Sequence, residues 1–217
     1  MRFKIEDAGE VQAILLRPKN VESVLTLAHG AGAGMNHPFM TAVAHKLADA
    51  GVATFRFQFP YMEQRRRVPD RPAVLTTTIQ AAVQSASKAA RDLPLFSGGK
   101  SLGGRMASLA AAEGRLGNVR GLVFFGFPLH PPNRPGTKRA EHLSEVKLPM
   151  LFLQGTRDAL ADLQLLRPIC AELGARATLH VIEGADHSFH VLKSSGKTDE
   201  GVLEELAQNA SAWIKKL

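Results

Sequence analysis

The 217-residue chain holds one cysteine, one tryptophan and one tyrosine, and each scarcity excludes something. A lone Cys170 cannot close an internal disulfide, and on the apolar stripe of a helical pattern it reads as buried packing. Aromatic residues make up 6% of the chain, which leaves few platforms on which nucleic-acid bases could stack. No apolar run approaches the ~18 residues that suggest a spanning helix. Met1-Arg2-Phe3-Lys4-Ile5-Glu6-Asp7 carries charges where a signal peptide has its apolar stretch, so a cytosolic location is expected. Histidines and carboxylates lack the close spacing of a ligand motif such as H-E-x-x-H, so neither metal nor other cofactor is expected.

Positive charge, by contrast, is in excess. Lys and Arg number 27 against 20 Asp and Glu, a net charge of +7. It is spread along the chain apart from Arg65-Arg66-Arg67 with nearby Arg71. There is no helix-turn-helix, zinc spacing or RNP pattern, so no nucleic-acid partner is expected and the cluster reads as a solvated loop. A hydrophobic content of 45% and a charged content of 22% suit a globular chain forming a single domain over residues 1–217 with a sizeable core.

The pattern of segments predicts the architecture. Residues 2–17 alternate loosely about Asp7-Ala8-Gly9-Glu10, an antiparallel hairpin. Strands are then expected at Ser23–Ala28, Val52–Phe59, Leu95–Phe96, Val119–Phe127, Pro149–Gln154 and Thr178–Ile182. Helices alternate with them: one after Pro38 capped by Asn36 or His37, one begun by Asp70 and Pro72, one following Leu95–Phe96, one over Leu160–Leu173, and one over Asp199–Lys216 with Val202, Leu206, Ala210 and Trp213 inward. A polar loop is expected over Pro60–Pro72. Alternation of this kind makes an α/β fold, a three-layer α/β/α sandwich with a mostly parallel sheet preceded by the hairpin. In such sheets, functional groups collect beyond the carboxyl ends of the strands.

One strand end organises the rest. Gly99-Lys100-Ser101-Leu102-Gly103 fits G-x-S-x-G, in which a serine occupies a sharp strand-to-helix turn and flanking glycines relieve the crowding. The same residues do not complete a P-loop, because position 94 is Pro94 where that motif requires glycine. The competing reading is an ordinary tight turn, so the other strand ends must decide. After Ala28 comes His29-Gly30-Ala31-Gly32, a loop able to offer one backbone N–H to a developing oxyanion while Leu102 offers the other. Ala31 is the favoured donor and Gly32 the substitute; a plain glycine turn is the competing reading. After Gln154 comes Asp158, suited to orienting a histidine, though it would also serve as a helix N-cap. Asp162 is nearby but falls within the helical pattern. Beyond the last strand, His187 is placed to act as general base, with His190 as the substitute. Nucleophile, acid and base in the order Ser101, Asp158, His187 is the order of a hydrolase triad.

These blocks, Leu27-Ala28-His29-Gly30-Ala31-Gly32, Gly98 to Arg105, Gln154 to Asp158 and Gly184 to Phe189, resemble the α/β-hydrolases, most of all the small dienelactone-hydrolase-like members. The likeness runs from about Val24 to the end. The wording of the first two blocks further resembles a subgroup that includes the hydrolase-like domain of a chromatin acetyltransferase-complex subunit. The resemblance implies a serine hydrolase with Ser101 as nucleophile, His187 as base and Asp158 as orienting acid, acting through an acyl-enzyme on a small ester, thioester or lactone. The alternative is a catalytically quiet hydrolase fold used as a protein-interaction module. A small-molecule acyl substrate is the expected partner, no membrane is expected, and no protein partner is legible. Larger members insert a helical lid after the sixth strand. Only the Pro-rich Phe127–Lys147 is available here, so no large lid is expected and the site should be open. Lys100 and Arg105 flank the serine; they would suit an anionic substrate but read first as surface charge. Tyr61, Met62, His130 and the Phe55-Phe57-Phe59 strand are neighbours of the site without an assigned role.

Overall fold

A computed structural model describes every residue from Met1 to Leu217. Its centre is an eight-stranded sheet in the order β1-β2-β4-β3-β5-β6-β7-β8. The hairpin strands β1 (Arg2–Ile5) and β2 (Gly9–Leu16) pair antiparallel, and β2 runs antiparallel to β4 (Val52–Phe57). From β4 onward every pairing is parallel, through β3 (Ser23–Ala28), β5 (Leu95–Lys100), β6 (Leu122–Phe125), β7 (Met150–Gly155) and β8 (Ala177–Ile182). Their carboxyl ends therefore share one edge, with Ala28 paired to Gly99 and Lys100 to Phe125.

Every residue of β3, β4, β6 and β7 is buried, because parallel strands are covered on both faces. Alternating side chains feed two cores. On one face Phe124 and Phe152 meet α3 (Pro72–Ala89), α4 (Leu102–Ala112) and α5 (Leu163–Leu173). On the other, Val123, Phe125 and Leu153 meet α1 (Pro38–Asp49) and α6 (Asp199–Ile214). Phe124 and Phe152 are fully buried with ring centroids 4.9 Å apart, edge to face; each contributes on the order of 2–3 kcal/mol through burial alone. No helix is long and apolar enough to cross a membrane.

Local departures from the sequence pattern have physical causes. The expected loop after β4 begins with the short helix α2 (Pro60–Glu63), which carries Tyr61 fully buried. Asp70 does not cap α3. Arg71 occupies that position without a side-chain bond, while Asp70 accepts from the Tyr61 N–H at 2.9 Å and pairs with Arg66. His37 caps α1, accepting from the Phe39 N–H at 3.3 Å. α5 starts at Leu163, because Asp162 caps it through the Gln164 N–H at 2.8 Å. Trp213 turns only partly inward: its ring lies over Gly121 and its Nε1–H donates to Thr178 Oγ1 at 3.2 Å. β5 extends to Lys100, and β6 is shorter than the apolar run predicts. Between β6 and β7, Phe127–Lys147 contains a 3₁₀ segment at Lys138–Glu145 and no inserted lid domain.

Candidate active site

Ser101 sits between the last residue of β5 and the first of α4 with φ 51° and ψ −116°. A non-glycine residue held at positive φ stores strain that the surroundings must impose. They do so by close packing: a Cβ on Gly99 or Gly103 would lie 2.3 or 2.4 Å from the Ala28 carbonyl oxygen. Strand β3 thus runs hard against both sides of the turn, and only glycine fits there. Leu102 opens α4, so its N–H has no intrahelical acceptor and lies at the positive end of the helix dipole.

Three side chains from separate strand ends meet in a line. The Ser101 hydroxyl lies 2.8 Å from His187 Nε2, and His187 Nδ1 lies 2.7 Å from Asp158 Oδ2. A carboxylate only accepts, so Nδ1 carries the proton and Nε2 accepts from the serine hydroxyl. The Asp158 side chain is 1% exposed and that of His187 is 23% exposed, which leaves the imidazole reachable and its partner sealed. Asp158 also accepts from Leu160 N–H at 2.7 Å and from the Gln154 side-chain amide. One oxygen thus holds the Leu160 N–H in a turn while the other faces His187; Asp158 does not cap a helix, because α5 starts at Leu163 with Asp162 as its cap. Gln154 bridges the strand end, its Oε1 accepting from the Phe127 N–H at 2.9 Å; a single glutamine in an apolar run gives no pattern by which sequence could find it. His190 faces elsewhere, with Nδ1 2.8 Å from Asp199 Oδ2.

The loop after β3 is held from beneath. His29 is fully buried and its Nε2 accepts from the Phe59 N–H at 3.2 Å. Its Nδ1 must then carry the proton, which it donates to the Gly30 carbonyl at 2.7 Å. Burial pushes the His29 pKa down to about 4, so the ring stays neutral. Fixing that carbonyl fixes the planar Gly30–Ala31 peptide and hence the direction of the Ala31 N–H. The Gly32 N–H is already engaged, donating to the Tyr61 hydroxyl at 3.1 Å. Ala31 N–H has no partner within the chain, so of the two expected donors only Ala31 is free. Burial pushes the Tyr61 phenol up, which keeps it a neutral prop for the loop.

A cavity of about 330 Å³ opens beside Ser101, lined among others by Ala31, Phe39, Met40, Lys100, Leu160 and His187. Lys100 is not the surface charge its place beside a loop suggests. Its amine lies 5.8 Å and 5.5 Å from the ring centroids of Phe39 and Phe189, and burial pushes its pKa down to about 8. Gly126, just after β6, has φ 69°. A Cβ there would stand 3.3 Å from Lys100 Nζ, 3.5 Å from His187 Nδ1 and 3.6 Å from Asp158 Oδ2, so the three groups surround one small gap. Arg105 lies apart, its guanidinium half-buried near Arg139 and its Nε without a partner. His130 fixes the Asp162 backbone, accepting its N–H at 3.0 Å, and the Met62 methyl lies against Gly34. No group of three or more His, Cys, Asp or Glu side chains converges to hold a metal ion.

Comparison with known proteins agrees with this arrangement at the level of fold. Residues 21–215 match the alpha/beta hydrolase domain. A Mycobacterium tuberculosis protein with a provisional phosphoribosyl transferase name is 29% identical over 201 residues, which is 91% of this chain and 42% of that protein. This chain thus spans about two-fifths of the length of the curated relatives it matches. Among solved structures, dienelactone hydrolase from Anabaena variabilis superposes with a TM-score of 0.78 at 23% identity, covering 100% of this chain and 95% of that one. A lidless α/β serine hydrolase member from Xanthomonas campestris gives 0.72 at 21% identity, covering 96% and 93%.

Proposed function

This chain belongs to the alpha/beta hydrolase domain family, and from that premise we propose that it is a serine hydrolase of small esters, thioesters or lactones. The observation that carries the reading is the pair of short contacts joining Ser101, His187 and Asp158, 2.8 and 2.7 Å. Ser101 Oγ attacks the substrate carbonyl while His187 Nε2 takes its proton. The imidazolium so formed faces the Asp158 carboxylate, which stabilises it in a buried setting. The tetrahedral oxyanion accepts from the Ala31 and Leu102 N–H groups, worth about 10²–10³ in rate for one such donor. Collapse expels the alcohol or thiol, which leaves with the proton from His187. Water then attacks the acyl-serine with His187 again as base, releasing the carboxylic acid and restoring Ser101.

An open cavity of about 330 Å³ favours short acyl groups over long ones. The transferase name of the mycobacterial relative belongs to a protein more than twice as long, and nothing about these residues calls for ribosyl transfer. A cytosolic site of action fits the single unpaired Cys170. Hydrolysis of p-nitrophenyl esters of increasing chain length tests the reading. The wild type should turn over the short ones best and Ser101→Ala should turn over none above background. An inert wild type, or an active Ser101→Ala, overturns it; in the former case the interaction-module reading takes its place.

A further inference from the structure

The catalytic reading leaves one buried cation without a task. Lys100 ends β5, directly before Ser101. Its amine lies 5.8 Å from the Phe39 ring centroid and 5.5 Å from that of Phe189, two rings stacked 5.7 Å apart. A third side is Gly126, where a Cβ would stand 3.3 Å from Lys100 Nζ, 3.5 Å from His187 Nδ1 and 3.6 Å from Asp158 Oδ2. The ammonium therefore stands beside the Asp158–His187 bond, on the Nδ1 side of the imidazole. Ser101 meets the other nitrogen, Nε2. No ion pair or hydrogen bond neutralises the ammonium, and the charges that reach it through space are Asp158 and Asp186. Asp186 is engaged by the Ser188 and His190 N–H groups at 2.8 and 3.0 Å, while Phe39, Phe189 and Gly126 bring no charge. One further titratable ring, His37, lines the cavity that His187 faces. Packing alone does not call for lysine here. An ammonium taken out of water without an ion pair is costly, and methionine would fill the same space. The chain also accepts strain to shelter it: Phe189 has φ 64°, a left-handed conformation uncommon for a bulky side chain.

Resting on the serine hydrolase reading, we propose that Lys100 is a positioning residue that acts through His187: its ammonium, set behind the Asp158–His187 bond, keeps the resting imidazole unprotonated, so that the base stays available below neutral pH. In the resting site the Asp158 carboxylate and the Lys100 ammonium balance one another beside a neutral ring. A proton taken up by His187 from solvent would set a second positive charge beside the first, with Asp158 to serve both, and like charge opposes that. The proton His187 takes from Ser101 during reaction is different. It arrives together with the negative charge of the oxyanion at the Ala31 and Leu102 N–H groups, so the ammonium opposes idle protonation more than it opposes the transition state. The aromatic rings keep water from screening the ammonium, and Gly126 leaves room for it to approach.

The test is the pH profile of kcat/KM on p-nitrophenyl acetate for the wild type, Lys100→Met and Lys100→Arg. Lys100→Met should move the midpoint of the acid limb up by about one pH unit or more. Below both midpoints it should therefore be about tenfold slower than the wild type, with a small loss on the plateau. Lys100→Arg, which keeps the charge, should hold the wild-type midpoint. A midpoint unchanged or lowered in Lys100→Met overturns the proposal, and so does one raised equally in both variants, which would mark a packing effect; either result leaves the hydrolase reading intact. The ring-nitrogen NMR shifts of His187, in protein labelled at histidine, read the same protonation without any substrate. The midpoint should rise by the same amount in Lys100→Met, and the wild-type ring should respond a second time near pH 8, where burial leads the Lys100 ammonium to lose its proton. If no ester is turned over, the hydrolase reading fails and these shifts still decide whether Lys100 governs the imidazole. Should Lys100→Met not fold, the second wild-type step decides alone: its presence supports the proposal and its absence overturns it.

Discussion

The two sides of the Ser101 cavity are built on opposite principles. On the Asp158–His187 side, a buried carboxylate holds a partly exposed imidazole, which in the proposed mechanism gains and loses a proton. On the His29–Gly32 side, the two groups that prop the loop, His29 and Tyr61, are each held in one state. His29 is kept neutral by burial, clamped between the Phe59 N–H and the Gly30 carbonyl, and Tyr61 is kept protonated while it receives the Gly32 N–H. The difference teaches what each job requires. A proton carrier needs a partner of opposite charge and access to solvent; a backbone donor aimed at an oxyanion needs a frame that does not change with pH. Two histidines in one site thus do unlike work, and burial sets which does which.

That contrast can be broken from either side. Removing the proton carrier should be the largest effect on rate: His187→Ala should lower kcat by about 10⁴-fold or more with little change in melting temperature, since the side chain is partly exposed. A steady-state assay beside a thermal melt measures both. Removing the frame should act first on stability. His29→Leu leaves the Phe59 N–H and Gly30 carbonyl buried without partners and should cost about 2–4 kcal/mol in urea unfolding; a variant as stable as wild type would show that the clamp is dispensable.

The frame also predicts how stability depends on pH. With the folded pKa of His29 near 4 against the ordinary histidine value of 6.5, the unfolded chain binds the extra proton between those values. Stability should be full above pH 6.5 and fall as pH drops towards 4, by about 3 kcal/mol from this residue. His142, pushed down to about 4 by burial and by Arg105, adds a loss of the same sign. Urea midpoints measured from pH 7 to 4.5 should therefore decline in the wild type and decline less steeply in His29→Leu. The smallest effect should come from Tyr61→Phe, which takes the acceptor from the Gly32 N–H and leaves Ala31 less firmly aimed. A loss of about tenfold in kcat and about 1 kcal/mol in stability is expected.

Much of this was legible in the chain because periodicity and turn chemistry agree along it. The hairpin, the parallel sheet and the helices all follow from apolar runs punctuated by Gly and Pro. Ser101, Asp158 and His187 could be singled out because each stands just beyond a strand, and a parallel sheet brings those ends to one edge. What remained hidden depends on contacts distant in sequence. Lys100 reads as surface charge until Phe39, Phe189 and Gly126 are seen around it. Tyr61 falls in a segment that composition marks as an exposed loop, and Asp70 has the look of a helix cap although its oxygens are taken by Tyr61 and Arg66. Asp158 presents a different lesson: the helix expected from Leu160 starts only at Leu163 under an Asp162 cap, so one Asp158 oxygen holds a turn and the other faces His187.

The central claim is that Ser101 is a nucleophile activated by His187. Stoichiometric labelling by a fluorophosphonate, followed by intact mass and peptide mapping, tests it without knowledge of the substrate. One adduct per chain on the Ser101 peptide, absent in Ser101→Ala and strongly slowed in His187→Ala, is the predicted result. A wild type that takes up no label, or a label that maps to another residue, would contradict it.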